Sequence, residues 1–313
     1  MAATWVLVFA LILGACIAAF PEIPNSYAEF SEVEEGLYRL PNDTIPTSYD
    51  ITLEPNFVDF TFLGKVTITI LVEIETNTIT LHAYDLIIDP DSITVTELNE
   101  VEELTVAGTA NETEFQFLRI HVEETLQPGQ ILEVYIEYKG FLNRENEGFY
   151  RASYVDANGE TKWFGTTQFE STAARRAFPC YDEPALKATF TIHIIRSEGY
   201  NSISNMQLVT SDPYGDDKYI DNFDESVKMP TYLVAFIVSE MDFTEEGNQR
   251  VYAAPAHIAD GRGEYGLTMG IEILKVMADF TSIPYTLPKV DQAAIPDNWF
   301  AAGAMENWGL VTY

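Results

Sequence analysis

The stretch Gly303-Ala304-Met305-Glu306-Asn307-Trp308-Gly309 joins a bare backbone to a single carboxylate. Glycine and alanine leave the main chain accessible, so an extended ligand would lie against Gly303 and Ala304 as an added strand. Glu306 would then turn a negative charge toward one end of that ligand. Taken alone, a Gly-Ala pair is more simply read as a strand-edge turn with a solvated glutamate. A second acid follows a polar residue and an aromatic in Thr167-Gln168-Phe169-Glu170, just before Arg175-Arg176-Ala177-Phe178-Pro179-Cys180-Tyr181-Asp182-Glu183-Pro184. Arg175 and Arg176 are expected to pair at the surface with Asp182 or Glu183.

Other chemistries lack their residues. His82, His121 and His193 alternate with Thr, Arg or Glu along strand-like runs, which places them on polar faces as solvated side chains. His257 follows Pro255 in what reads as a loop and has no second histidine at metal-ligand spacing. There is no H-E-x-x-H, no cysteine pair, no G-x-S-x-G elbow and no phosphate-cradling glycine loop. Cys180 stands beside acids, so its thiolate is disfavoured and a small buried residue is expected.

The elements that must position these residues are read from hydrophobic period. Val66, Ile68, Ile70, Val72 and Ile74 alternate with Thr67, Thr69, Leu71 and Glu73, the period-two pattern of a half-buried strand. The same alternation recurs at Leu132, Val134, Ile136 and Tyr138, and at Phe190, Ile192 and Ile194. Gln127-Pro128-Gly129 and Asn158-Gly159 supply the turns between such runs. A mostly β, antiparallel domain is expected over residues 37–243, closed by the apolar run Tyr232 to Val238. Near Gly263 the period changes: Leu267, Ile271, Leu274 and Ala278 mark one helix face, ended by Thr281, Ser282 and Pro284. A second, α+β domain is expected over residues 244–313.

The 313 residues carry 49 Asp and Glu against 17 Lys and Arg, a formal net charge of -32, with 47% apolar content. Such a chain folds around a core, disfavours nucleic acid as a partner and concentrates cations, including ligands with a free ammonium group. With only Cys16 and Cys180, no disulfide framework is available.

Residues 1–19 resemble a secretory signal peptide, although the n-region has no basic residue. Leu13-Gly14-Ala15-Cys16 also resembles a lipoprotein cleavage box, and an uncleaved anchor is a third option. Residues 20–36 read as an acidic linker or stalk. Asn42-Asp43-Thr44 and Asn111-Glu112-Thr113 fit the N-glycosylation pattern of a secreted chain.

Together with Gly148-Phe149-Tyr150-Arg151, Tyr285-Thr286-Leu287-Pro288-Lys289, Asp291-Gln292 and Ile295-Pro296-Asp297, the two acid-bearing motifs resemble the zinc aminopeptidases of the aminopeptidase N family, the insect gut enzymes most of all. The resemblance runs from about Leu37 to Tyr313. It implies a saddle-like antiparallel β domain followed by the start of a thermolysin-like catalytic domain. It further implies that Glu170 and Glu306, with Gln168, bind the free amino terminus of a peptide substrate. By the same resemblance the backbone of Gly303 and Ala304 meets the substrate main chain, Ala302 and Met305 wall the first side chain, and Asn307 holds the turn. An ammonium between two carboxylates relieves their repulsion and fixes register, which makes such an enzyme an exopeptidase.

Two departures qualify the likeness. Pro296-Asp297 is followed by five residues, Asn298 to Ala302, before Gly303, where the family has three, so Trp299 either reshapes the pocket edge or bulges into solvent. The family's zinc-binding H-E-x-x-H helix, third ligand and transition-state tyrosine lie downstream of the Gly-Ala-Met-Glu-Asn motif, and the sequence ends first. The full-length enzyme is expected to carry zinc, while this chain is expected to bind none, to hold no catalytic residue and to be inactive alone. The competing expectation is a catalytically dead binding or receptor module using the same amine-recognition surface. Localisation is expected on the secretory route, secreted or on the extracellular face of the plasma membrane, tethered only through an uncleaved N-terminal or a further C-terminal segment.

Overall fold

The computed structural model describes residues 38–313, so the expected signal peptide (1–19) and acidic linker (20–36) lie outside the described residues. The alternating runs become strands. In chain order they are β1 (Thr44–Asn56), β2 (Thr61–Val72), β3 (Thr76–His82), β4 (Ile87–Ile88), β5 (Thr94–Glu97), β6 (Glu102–Leu104), β7 (Val106–Glu112), β8 (Phe117–Leu126) and β9 (Ile131–Phe141). They continue as β10 (Gly148–Val155), β11 (Thr161–Gln168), β12 (Thr189–Ser197), β13 (Asn201–Ser204), β14 (Leu208–Pro213), β15 (Lys218–Phe223) and β16 (Phe236–Ser239). The last four are β17 (Asp242–Glu246), β18 (Gln249–Ala253), β19 (Val290–Ala293) and β20 (Leu310–Thr312).

The largest sheet has nine strands in the order β14-β15-β12-β1-β2-β9-β5-β6, with β4 also on β9. Its pairs are antiparallel except β1 with β12, which run parallel from Ser48 opposite Thr189 to Leu53 opposite Ile194. Inward side chains of β1, β2, β9 and β12 such as Ile51, Val66, Ile68, Val134 and Ile194 are wholly buried. Phe62 faces Gly140 across β2 and β9, and a Cβ there would fall 2.1 Å from the Phe62 ring, so glycine leaves the aromatic its place. β2 stops at Val72 because the amides of Glu73 and Ile74 turn to the Asp43 carbonyl (2.7 and 3.2 Å), which leaves Ile74 exposed rather than in the strand pattern expected for it.

A three-stranded sheet, β3-β8-β7, and a four-stranded sheet, β10-β11-β16-β13, complete the first part of the chain. The run Leu233 to Val238 is buried as expected, with β16 at its end. A separate four-stranded sheet, β17-β18-β19-β20, begins at Asp242. Between β18 and β19 lie a short helix, Pro255–Ala259, and a long one, Glu264–Thr281. Gly263 caps the long helix and Ser282, in the left-handed region at φ 56°, ends it, so both boundaries fall where the sequence puts them. The architecture is mostly β, with the start of an α+β part after β16.

Several histidine and arginine placements differ from expectation. His82 is buried, because the segment at Cys180 covers that face: the two residues exchange backbone hydrogen bonds of 2.8 and 3.0 Å, and the Asp182 amide donates to His82 Nδ1 at 3.3 Å. His121 Nδ1 meets the Thr78 hydroxyl at 2.9 Å and His193 lies between Asp50 and Asn222, so neither is merely solvated. His257 sits on the short helix rather than in a loop, since Pro255 supplies a ready-set first position. Arg175 does pair with Asp182 (Nε to Oδ2, 3.0 Å), but the pair is buried, not superficial. Arg176 turns instead to Glu145 at 2.5 Å and Asp85 at 3.6 Å. Cys180 is buried and free, and burial pushes its thiol well above the usual range.

Candidate functional site

β11 delivers the first acid-bearing motif. Its last residue, Gln168, pairs with Gly148 of β10, and Phe169 is buried with its ring against Phe178 (5.9 Å) and Phe236 (6.1 Å). That anchor fixes the residues on either side of it. Gln168 is only 9% exposed and its Oε1 accepts no hydrogen bond, whereas Glu170 is exposed. A buried amide oxygen without a donor is costly, and a ligand N–H would relieve it. The Ala173 amide closes the turn onto the Phe169 carbonyl at 2.8 Å.

The second motif lies in the connection from β19 to β20. A 3-10 turn, Asp297–Trp299, opens it, and Trp299 packs edge-on against Trp163 at 6.1 Å instead of bulging into solvent. The Tyr150 hydroxyl donates to the Trp299 carbonyl at 2.8 Å. From there Ala301 to Ala304 are exposed, and Gly303 has φ 82° with open space where a side chain would stand. Met305 turns into the core at 1% exposure, so it supports the segment from beneath and offers no free wall. Its backbone exchanges hydrogen bonds with Thr312 (2.9 and 3.1 Å). Glu306 is exposed again, Asn307 is buried, and the Asn307 carbonyl accepts from the Leu310 amide at 3.1 Å to close the turn.

The far end of the connection is held by two side chains, the buried Asn205 and the partly buried Lys289. Asn205 Nδ2 donates to the carbonyls of Trp308 (2.8 Å) and Leu233 (2.7 Å). Lys289 Nζ donates to Gly309 (2.8 Å) and Ser204 (2.5 Å) carbonyls and to Asp291 Oδ2 (2.6 Å). Burial pulls the Lys289 ammonium below its usual range and the Asp291 carboxyl above its own, and their mutual attraction opposes both shifts. Gly309 has φ 80°, and a Cβ there would meet the Asn205 carbonyl oxygen at 2.0 Å, so only glycine allows this approach.

Register shows where these ties lie. Gly148 opposite Gln168, Gly165 opposite Val238, and Ser204 opposite Phe236 put Gln168 and Asn205 at one end of the β10-β11-β16-β13 sheet. Tyr150 is two residues in from that end. The connection is therefore strung across the sheet end at which β11 presents Gln168 and Glu170. Sequence reasoning singled out both motifs but not the roles of Tyr150, Asn205 and Lys289. Tyr150 and Lys289 fall inside the resembling motifs Gly-Phe-Tyr-Arg and Leu-Pro-Lys, which was a usable signal, while Asn205 carries none.

The donor set does not fit a zinc ion. Among the described residues, no three His, Cys, Asp or Glu side chains are grouped so as to hold a metal. Each histidine has a different neighbourhood: β3 against Cys180, β8 against Thr78, β12 against Asp50, and the short helix. Among the described residues no helix is long and apolar enough to cross a membrane.

Comparison with known proteins identifies the family. Residues 45–233 match the peptidase M1 N-terminal domain and residues 265–313 match the peptidase family M1 domain. The chain is 41% identical over 282 residues to human endoplasmic reticulum aminopeptidase 1, a match covering 88% of this chain and 29% of the relative. It is 39% identical over 283 residues to the alanine/arginine aminopeptidase of Saccharomyces cerevisiae (88% and 31%). With the puromycin-sensitive aminopeptidase of Caenorhabditis elegans the figures are 38% over 281 residues (88% and 29%). The chain thus spans about three tenths of the length of the curated relatives it matches. On the breadth of the N-terminal match and the order of the two domains, this chain belongs to peptidase family M1.

Proposed function

We propose that this chain is the amine-recognising portion of a zinc aminopeptidase, which removes N-terminal residues from peptides. The observation that carries the reading is the buried, unpartnered Gln168 Oε1 beside exposed Glu170, at the sheet end crossed by Gly303 to Glu306. An α-ammonium has three donors. Glu170, Glu306 and Gln168 Oε1 together satisfy them with charge-assisted hydrogen bonds. The exposed backbone at Gly303 and Ala304 pairs with the substrate main chain, Ala302 borders the first side chain, and Met305 holds the segment from below. The net charge of -32 raises the local concentration of cationic peptide termini.

Recognition is assigned to this chain, and the reading that it does not hydrolyse peptides alone is supported by the lack of an H-E-x-x-H in its sequence. The division into an N-terminal β domain (37–243) and a catalytic-domain portion (244–313) is supported by two separate family matches and by the new sheet that starts with β17, although β17 begins at Asp242, two residues before the expected boundary. Entry into the secretory pathway, with the protein secreted or tethered at the membrane, is supported by the apolar N-terminal run. The exposed acceptor residues Asn42 and Asn111 agree with glycosylation on that route.

Calorimetric titration of the purified chain with trialanine and N-acetyl-trialanine at low ionic strength tests the reading. Trialanine is expected to bind and its acetylated form is not, and Glu306→Gln or Glu170→Gln should weaken binding about tenfold or more. Equal affinity for the two peptides overturns it. The chain with added zinc should leave an aminoacyl anilide uncut, and zinc-dependent cleavage would overturn the assignment of hydrolysis elsewhere.

A further inference from the structure

The stretch Ala301 to Ala304 is exposed, yet both ends of the connection that carries it hang from buried or partly buried donors. At the front, the wholly buried Tyr150 offers its hydroxyl to the Trp299 carbonyl at 2.8 Å. The five residues between Asp297 and Gly303 thus form an anchored turn, with Trp299 seated on Trp163. At the rear, Asn205 (3% exposed) holds the Trp308 carbonyl at 2.8 Å. Lys289 joins the Gly309 carbonyl to that of Ser204 at the end of β13 (2.8 and 2.5 Å). If the connection lifted away, a hydroxyl, an amide and an ammonium would each lose an acceptor in a buried setting, which penalises any displaced state.

We propose that Tyr150, Asn205 and Lys289 are the positioning residues of the amine-binding segment, holding Gly303 to Glu306 in one place across the end of β11 before any ligand arrives. The inference rests on the recognition role given above to Gly303–Glu306. None of the three touches the ligand. They lower the cost of binding by removing the need to order the segment when the peptide docks. The ties take hold of the carbonyls of Trp299, Trp308 and Gly309, so the connection is fixed through its backbone while Ala301 to Ala304 and Glu306 stay exposed.

Tyr150→Phe removes one oxygen and keeps the ring in the core, and Lys289→Met removes one of the two rear ties, leaving that of Asn205. Tyr154→Phe is the control, because Tyr154 lies on the same strand but donates to the Glu240 carbonyl at 3.3 Å, away from the connection. Hydrogen exchange of the amides in residues 300–307 and trialanine affinity are measured with the thermal midpoint of each variant. Tyr150→Phe and Lys289→Met are expected to speed exchange in that segment and weaken trialanine binding, each about tenfold, with β10 and β11 unchanged. Tyr154→Phe should leave both readouts as in the wild type. Should Lys289→Met not fold, Tyr150→Phe decides. Unchanged exchange and affinity in Tyr150→Phe, or the same change in Tyr154→Phe, overturn the positioning role while wild-type binding stands. If the wild type fails to prefer trialanine over its acetylated form, the recognition reading falls and the functional role of the ties falls with it.

Discussion

The sheet built around β1 and β2 and the sheet built around β18 and β19 treat similar sequence patterns differently. β1 has a partner on each side, and its inward residues Ile51 and Leu53 are wholly buried. The long helix Glu264–Thr281 packs on β17 and β18 but buries only Leu267. Ile271, Leu274 and Ala278, on the expected face, are half-buried, while Tyr265, Ile273, Val276 and Phe280 are exposed, Phe280 at 83%. A periodic apolar run therefore identifies the element and the side it turns to its own sheet. It does not say whether the opposite side also carries apolar residues, and here it does. An exposed apolar face of that kind is a surface for association.

Substitutions can break or sharpen this contrast, and the greatest effect belongs to the first region. Phe62→Ala empties a site enclosed by Tyr138 and Phe149 and is expected to cost about 3–5 kcal/mol, read from a guanidinium unfolding midpoint. An unshifted midpoint would mean that the large sheet does not carry the core. Gly309→Ala forces a side chain onto a backbone at φ 80° and into the Asn205 carbonyl, with an expected loss of more than about 1 kcal/mol and faster exchange at the seam between the sheets.

A smaller effect is expected on the outer face of the large sheet. His193 hydrogen-bonds Asp50 at 3.2 Å and Asn222 at 2.6 Å, and the Asp50 contact raises the imidazole above its ordinary value. A raised folded-state value means that the contribution is fully present below about pH 6.5 and is lost as pH rises through the folded value. His193→Gln should flatten the pH dependence of the unfolding midpoint across that window. The change stays modest because Asp50 is 57% exposed and solvent screens the pair. The smallest stability effect is expected from Phe280→Glu, within about 0.5 kcal/mol, accompanied by reduced binding of a hydrophobic dye. A loss comparable to that of Phe62→Ala would show that the helix face is covered after all.

Much of this was legible because local rules govern it. The alternation at Val66 to Val72, Leu132 to Tyr138 and Phe190 to Ile194 gave β2, β9 and β12, and the glycines at 129 and 159 sit in turns at φ 93° and 82°. Both helix ends followed from Gly263 and from Ser282 before Pro284. What escaped depends on partners distant in sequence. The threonines that alternate with His82 could not reveal that Cys180 would cover it, nor could the Arg-Arg pair reveal that Arg175 and Asp182 would be enclosed together. The two acid motifs were singled out through their resemblance to the aminopeptidase N family, since a Gly-Ala pair with one acid is weak alone. The ties that hold the second motif were not, because a Tyr, an Asn and a Lys acting on carbonyls leave no spacing pattern.

The central claim is that Gln168, Glu170 and the Gly303–Glu306 segment together receive a peptide amine. Nuclear magnetic resonance titration of the labelled chain with trialanine observes those groups directly. The side-chain amide of Gln168 and the backbone amides of Gly303 and Ala304 should shift together along one saturating curve, with N-acetyl-trialanine leaving all of them in place. Shifts absent from these three positions, or reproduced by the acetylated peptide, would contradict the account.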